Sequence, residues 1–116
     1  MPLYAVIGFD HSPHQMTLRD QVRPAHREFV KQNDQMIRFA TAMLDADSHQ
    51  QGSIYVFEAD DIDPVRAWIA EEPFCQAGVY RDLRVVEAFL RGQWGRRSES
   101  TAPVAPSRRS GGGGTA

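Results

Sequence analysis

The chain has 116 residues, 41% of them hydrophobic, which is enough for one domain with a modest core. Its apolar runs extend only a few residues, well short of the roughly 20 that a membrane-spanning helix needs, and no basic stretch followed by an apolar one opens it, so a cytoplasmic protein is expected. The formal net charge of −2 is unevenly spread: residues 1–90 hold eight Lys or Arg against fourteen Asp or Glu, a net of −6, and the remainder carries +4. An acidic domain repels phosphate backbones, which argues against nucleic acid as the main partner.

Pro2 to Phe9 is an apolar, β-branched run of strand length, closed by Asp10-His11-Ser12-Pro13. It reads as a first, central strand. Thr17-Leu18-Arg19-Asp20 resembles a capping box, and Leu18, Val22, Ala25, Phe29 and Met36 roughly keep helical spacing. A helix is therefore expected to about Gln32, with a break or restart at Pro24. Met36 to Met43 reads as a strand, Asp45 to Gly52 as a hairpin loop, and Ser53 to Glu58 as a third strand. A second helix opens at Asp60-Asp61-Ile62-Asp63-Pro64, capped either by Asp63 with Pro64 at the first helical position or by Asp61. It presents Ile62, Val65, Trp68 and Ile69 on one side and stops at Glu71-Glu72-Pro73, because a residue before proline is pushed out of the helical region. A turn then leads to a last strand, Asp82 to Leu90.

The order β-α-β-β-α-β is the ferredoxin-like arrangement, an α+β fold with a four-stranded antiparallel sheet and two helices on one face. Such a sheet leaves its other face bare, and pairing with a second copy covers it, so a homodimer is expected. The folded domain covers residues 1–91. From Gly92 the composition turns to Gly, Ser, Arg, Pro and Thr, which reads as a disordered tail. Trp94 either clamps the last strand onto a neighbouring subunit or lies in solvent.

Two segments place a titratable group beside fixed backbone. In Arg23-Pro24-Ala25-His26, Pro24 suits the first position of a helix, which sets His26 in a first turn where the dipole disfavours imidazolium and the ring can act as a base. In Glu71-Glu72-Pro73-Phe74 the acid ends a helix. The competing readings are a His26 bonded only to backbone and a solvated Glu72. Arg23 either binds an anionic group of a ligand or pairs with Asp20 on the surface, the latter being the simpler reading. The single Cys75 forms no internal bridge and reads as a small half-buried side chain. His11 and His14, separated by two residues in a polar loop with Asp10, have a spacing that some metal sites use, but neither a Cys nor a third histidine, His49 included, can be placed with them, so no structural metal is expected. Gly8 and Gly78 stand alone, so neither a phosphate loop nor a dinucleotide fingerprint is present. Cofactor-free chemistry remains.

Arg23-Pro24-Ala25-His26, Ala67-Trp68, Glu72-Pro73-Phe74 and Ala77-Gly78-Val79-Tyr80, together with the hairpin, resemble the YciI-like family over residues 2 to about 90. The resemblance implies a ferredoxin-like domain that dimerises into an α+β barrel, similar to muconolactone isomerases, with a catalytic His–acid pair. The family histidine falls on His26. Its Asp-Pro-Tyr segment falls on Glu72-Pro73-Phe74, so the acid here is Glu72, one methylene longer, with Phe74 beside it. A glycine that the family carries after the second strand is Met43 here, which implies a narrowed or filled pocket. Two functional classes follow. One is a small enzyme without cofactor or metal that moves a proton on a small cyclic or carbonyl compound, by isomerisation or elimination, with Arg23, Met43 and Phe74 about the substrate. The other is a non-catalytic dimeric domain that binds a metabolite. An open cavity with His26 and Glu72 within hydrogen-bond reach favours the first.

Overall fold

The computed structural model describes residues 1–94. Strand β1 (Leu3–Asp10) is followed by helix α1 (Met16–Gln32), strands β2 (Ile37–Leu44) and β3 (Gln50–Glu58), helix α2 (Ile62–Glu71), a single helical turn α3 (Pro73–Gln76) and strand β4 (Tyr80–Ala88). The sheet order is β2-β3-β1-β4 with every pair antiparallel, so the fold is α+β and ferredoxin-like, with β1 in the interior. Strictly alternating burial along β1 sends Tyr4, Val6 and Asp10 to the helical side. Tyr55 and Phe57 of β3 join them, and Val65, Trp68 and Ile69 of α2 close the core from above. Trp68 meets Phe29, Tyr55 and Phe57 edge-on at centroid distances of 5.0, 5.3 and 4.9 Å, and its indole N–H donates to the Asn33 carbonyl at 2.7 Å.

Helix α1 differs from the expectation in a way that matters for the site. It runs unbroken through Pro24, its N-cap is Gln15 without a side-chain cap bond, and no capping box forms at Thr17. His26 therefore lies well inside the helix and not in a first turn, so the dipole argument for it falls. Proline is tolerated because the carbonyl that it deprives of a partner belongs to Asp20, and both residues are exposed, where water can bond that oxygen. The helix is also anchored on both sides of Pro24, by the Arg19–Asp10 ion pair before it and by Phe29 and Val30 against the core after it.

The choice of cap for α2 is settled by Asp61, whose carboxylate accepts from the Asp63 N–H at 2.8 Å. Glu72 ends α2 in extended geometry (φ −70°, ψ 131°) as Pro73 requires, but the chain then re-enters a helical turn where only an irregular turn was expected. Strand β3 begins three residues earlier than the sequence suggests, so the hairpin loop is shorter. Gly78 has φ 84°, a conformation that glycine takes without strain as the chain enters β4. No described helix is long and apolar enough to cross a membrane. The proposed tail lies outside the described residues apart from 92–94, where Trp94 is exposed.

Candidate active site

Helix α1, the α2–α3 junction and strand β3 meet around a cavity of about 340 Å³, lined by His26, Phe74, Arg19, Gln50, Ser53 and Tyr55 among others. The α2–α3 junction builds the acid. Pro73 forces Glu72 out of the helix, and the buried Glu72 carboxylate then folds over to accept the N–H groups of Phe74 (2.9 Å) and Cys75 (3.0 Å), capping α3. The oxygen that accepts from Phe74 lies 2.7 Å from His26 Nδ1. Glu72 is 1% exposed and the His26 side chain 17%, so the acid is sealed behind an imidazole that reaches the cavity. With its carboxylate already accepting two backbone donors, Glu72 is placed to accept the hydrogen of Nδ1, an arrangement that in a neutral imidazole leaves the lone pair on Nε2. Phe74 stacks on His26 with ring centroids 4.3 Å apart and fixes the plane of the imidazole.

His26 and Glu72, 46 residues apart in sequence, are thus brought together, and Phe74 joins them on the cavity wall. Arg23 is not in that wall. It pairs with Asp20 at 3.1 Å, the simpler of its two readings, and borders a shallow groove outside with His26, Arg27, Val30 and Lys31. Met43 also stays out of the wall as described. It pairs with Gly52 across β2 and β3, and its terminal methyl fills the space that a side chain at Gly52 would need, so it neither narrows nor fills the cavity. Cys75 is half-buried, and burial pushes its thiol up, away from thiolate reactivity. His14 stacks on His49 at 4.1 Å, and Asp45, Asp47 and His49 cluster nearby. The Asp45 carboxylate is taken up by the N–H groups of Asp47 and His49 in its own turn.

A polar network went unread in the sequence. Asp10, at the end of β1, makes a two-pronged ion pair with Arg19 (2.8 and 2.9 Å), each side chain being 1% exposed. Arg19 also lies over the Phe74 ring, 4.7 Å from its centroid. Ser53 Oγ receives Arg19 Nη2 at 3.4 Å, Gln50 Nε2 at 3.2 Å and the Tyr80 hydroxyl at 3.2 Å. Burial pushes the phenols of Tyr55 and Tyr80 upward, so both stay neutral hydroxyls. The legible signal was Asp10, a carboxylate in phase with the buried positions of β1, since an acid on that face requires a cation.

Comparison with known proteins agrees with this architecture. No curated protein matches the chain. Among solved structures it is similar to 5-chloro-2-hydroxyhydroquinone dehydrochlorinase (TftG) from Burkholderia phenoliruptrix AC1100, determined with 2,5-dihydroxybenzoquinone, at 22% identity and a TM-score of 0.64, covering 84% of this chain and 97% of that one. It is also similar to an antibiotic biosynthesis monooxygenase at 19% identity and a TM-score of 0.50, covering 79% of this chain and all of the other. At such identities the likeness is one of fold. The model of the YCII-related domain matches residues 3–88, from the first residue of β1 to the last of β4, and the chain belongs to that family.

Proposed function

We propose that this protein is a small enzyme, working without a cofactor, that moves a proton on a cyclic or carbonyl compound by isomerisation or elimination. The observation that carries the reading is the 2.7 Å contact between His26 Nδ1 and a buried, backbone-anchored Glu72, with the imidazole on the wall of an apolar-lined cavity. Glu72 holds the tautomer and balances the charge the ring acquires, and Nε2 takes the proton. A general base so placed contributes typically about 10²–10⁴-fold. The dehydrochlorinase sharing this fold acts on a chlorinated hydroxyhydroquinone, which is support for hydroxylated or halogenated rings as the compounds to try first.

The same reading makes the working form a homodimer. On the sheet face away from the helices, Phe39 is 53% and Val86 46% exposed, beside Phe89 and Leu90, around a broad hollow of about 1050 Å³. A second copy covers such a face most simply. Purified protein should be screened against hydroxylated and halogenated quinols and small lactones, with His26→Ala alongside. The expected outcome is turnover of a compound from this set, reduced at least about 100-fold in His26→Ala with an unchanged melting temperature. Equal rates in wild type and His26→Ala would overturn the assignment and leave the binding-domain reading.

A further inference from the structure

The outer lip of the cavity, on α1, has no part in the His26–Glu72 pair. Of the eight Lys and Arg in residues 1–90, four stand in ion pairs, Arg19 with Asp10, Arg23 with Asp20, Arg38 with Glu58 and Arg84 with Asp82. Among the described residues, Arg27, Lys31, Arg66 and Arg81 have no carboxylate within that reach. Arg66 and Arg81 lie apart, on α2 and β4, whereas Arg27 and Lys31 are one helical turn from each other on α1. With Arg23 they border a groove of about 310 Å³ whose other lining residues are His26 and Val30. His26 and Val30 also line the main cavity, so groove and cavity meet across them. Side chains three or four apart on a helix stand about 5–6 Å apart at Cβ, which sets Arg27 beside Val30 and Val30 beside His26.

We infer that this lip is a carboxylate-binding edge of the site, with Arg27 and Lys31 as its cations, and that the compounds the cavity takes are small cyclic acids, a substrate class that rests on the cavity being the seat of the reaction proposed above. Residues 1–90 carry a net of −6, so an anion is repelled over most of the surface and drawn to the places where cations stand unpaired. Arg23 is held by Asp20 at 3.1 Å and contributes less. Asp34 lines the cavity as well, and its charge opposes a carboxylate at that point. The acid group therefore turns to the Arg27 and Lys31 side, and the ring settles among Val30, Ile37 and Phe74 with one orientation toward His26. Arg27 and Lys31 are both exposed, so each pair with a carboxylate is weak alone and the two together set the preference.

Benzoate and benzamide, nearly alike in shape and different in charge, test this without any turnover when each is titrated calorimetrically into the full chain at about pH 7, where the acid is ionised. Benzoate should bind about fivefold or more tighter in low salt, the worth of two exposed ion pairs. That preference should fade as ionic strength rises from about 0.01 to about 1 M. The double variant Arg27→Gln, Lys31→Gln should lose it with an unchanged melting temperature, since both side chains are exposed. Arg66→Gln with Arg81→Gln removes the same charge elsewhere and should keep it. His26→Ala should keep it too, which separates the carboxylate edge from the assignment of the base. Turnover of neutral rings by a protein that binds benzoate no better than benzamide would leave the base standing and overturn the edge. A preference that survives Arg27→Gln, Lys31→Gln, or one lost equally in the Arg66→Gln, Arg81→Gln control or in His26→Ala, would overturn it as well.

Discussion

Glu72 carries two duties that most residues carry singly. It caps α3 through the Phe74 and Cys75 N–H groups, and it orients His26. Substitutions should therefore separate along two axes. Glu72→Gln places an amide hydrogen against one of those donors and leaves a buried N–H unpaired, so thermal melting should show a loss of about 1–3 kcal/mol together with lower turnover. Glu72→Asp retains an acceptor suited to a cap, and should keep both stability and activity. The pair was legible in the sequence, though for a reason only half correct. Pro73 does eject Glu72 from its helix, whereas Pro24 does not begin one, and His26 reaches the cavity from mid-helix. The Ser53 cluster was not legible at all, because its members come from β3, α1 and β4 and polar residues so separated read individually as surface.

At the scale of elements, α1 contains a proline that its hydrogen-bond ladder would exclude if the sequence alone decided. The helix persists because Arg19 pins it before Pro24 and Phe29 and Val30 pack after it. Pro24→Ala restores the missing bond to Asp20 on an exposed surface, and should raise stability by on the order of 1–3 kcal/mol in denaturant unfolding, with no effect on the cavity. No gain would mean that α1 is set wholly by tertiary anchors. Element order, helix count before α3 and the central place of β1 were all readable from periodicity. The ends were not, since Gln50-Gln51-Gly52 reads as a turn by composition and becomes strand only because β1 supplies partners to it, Phe9 opposite Gly52 among them.

Across the whole molecule, one face of the sheet is spent on the core and the other shows Phe39, Val86, Phe89 and Leu90 to solvent. Sedimentation at micromolar concentration should give a dimer for the wild type and a monomer for Val86→Glu, since a buried unpaired carboxylate is costly at an interface. A monomeric wild type would remove the dimer from the proposal while leaving the site as described. Family membership agrees with the resemblance carried by Arg23-Pro24-Ala25-His26, Glu72-Pro73-Phe74 and Ala77-Gly78-Val79-Tyr80, and says nothing of the substrate, which depends on the few cavity residues and not on the fold.

The shared oxygen of Glu72, which accepts from the Phe74 N–H at 2.9 Å and lies 2.7 Å from His26 Nδ1, gives this protein an internal spectroscopic reporter. Any ligand that engages the imidazole alters its pull on that oxygen, and the amide proton on the other side responds. In ¹⁵N-resolved spectra the Phe74 and Cys75 amide resonances should shift on binding even where the ligand touches neither backbone group, and their hydrogen exchange should slow as the cap tightens. Compounds could then be ranked by engagement of the base before any reaction is known, and a compound that fills the cavity without moving those two signals would be binding elsewhere on its wall.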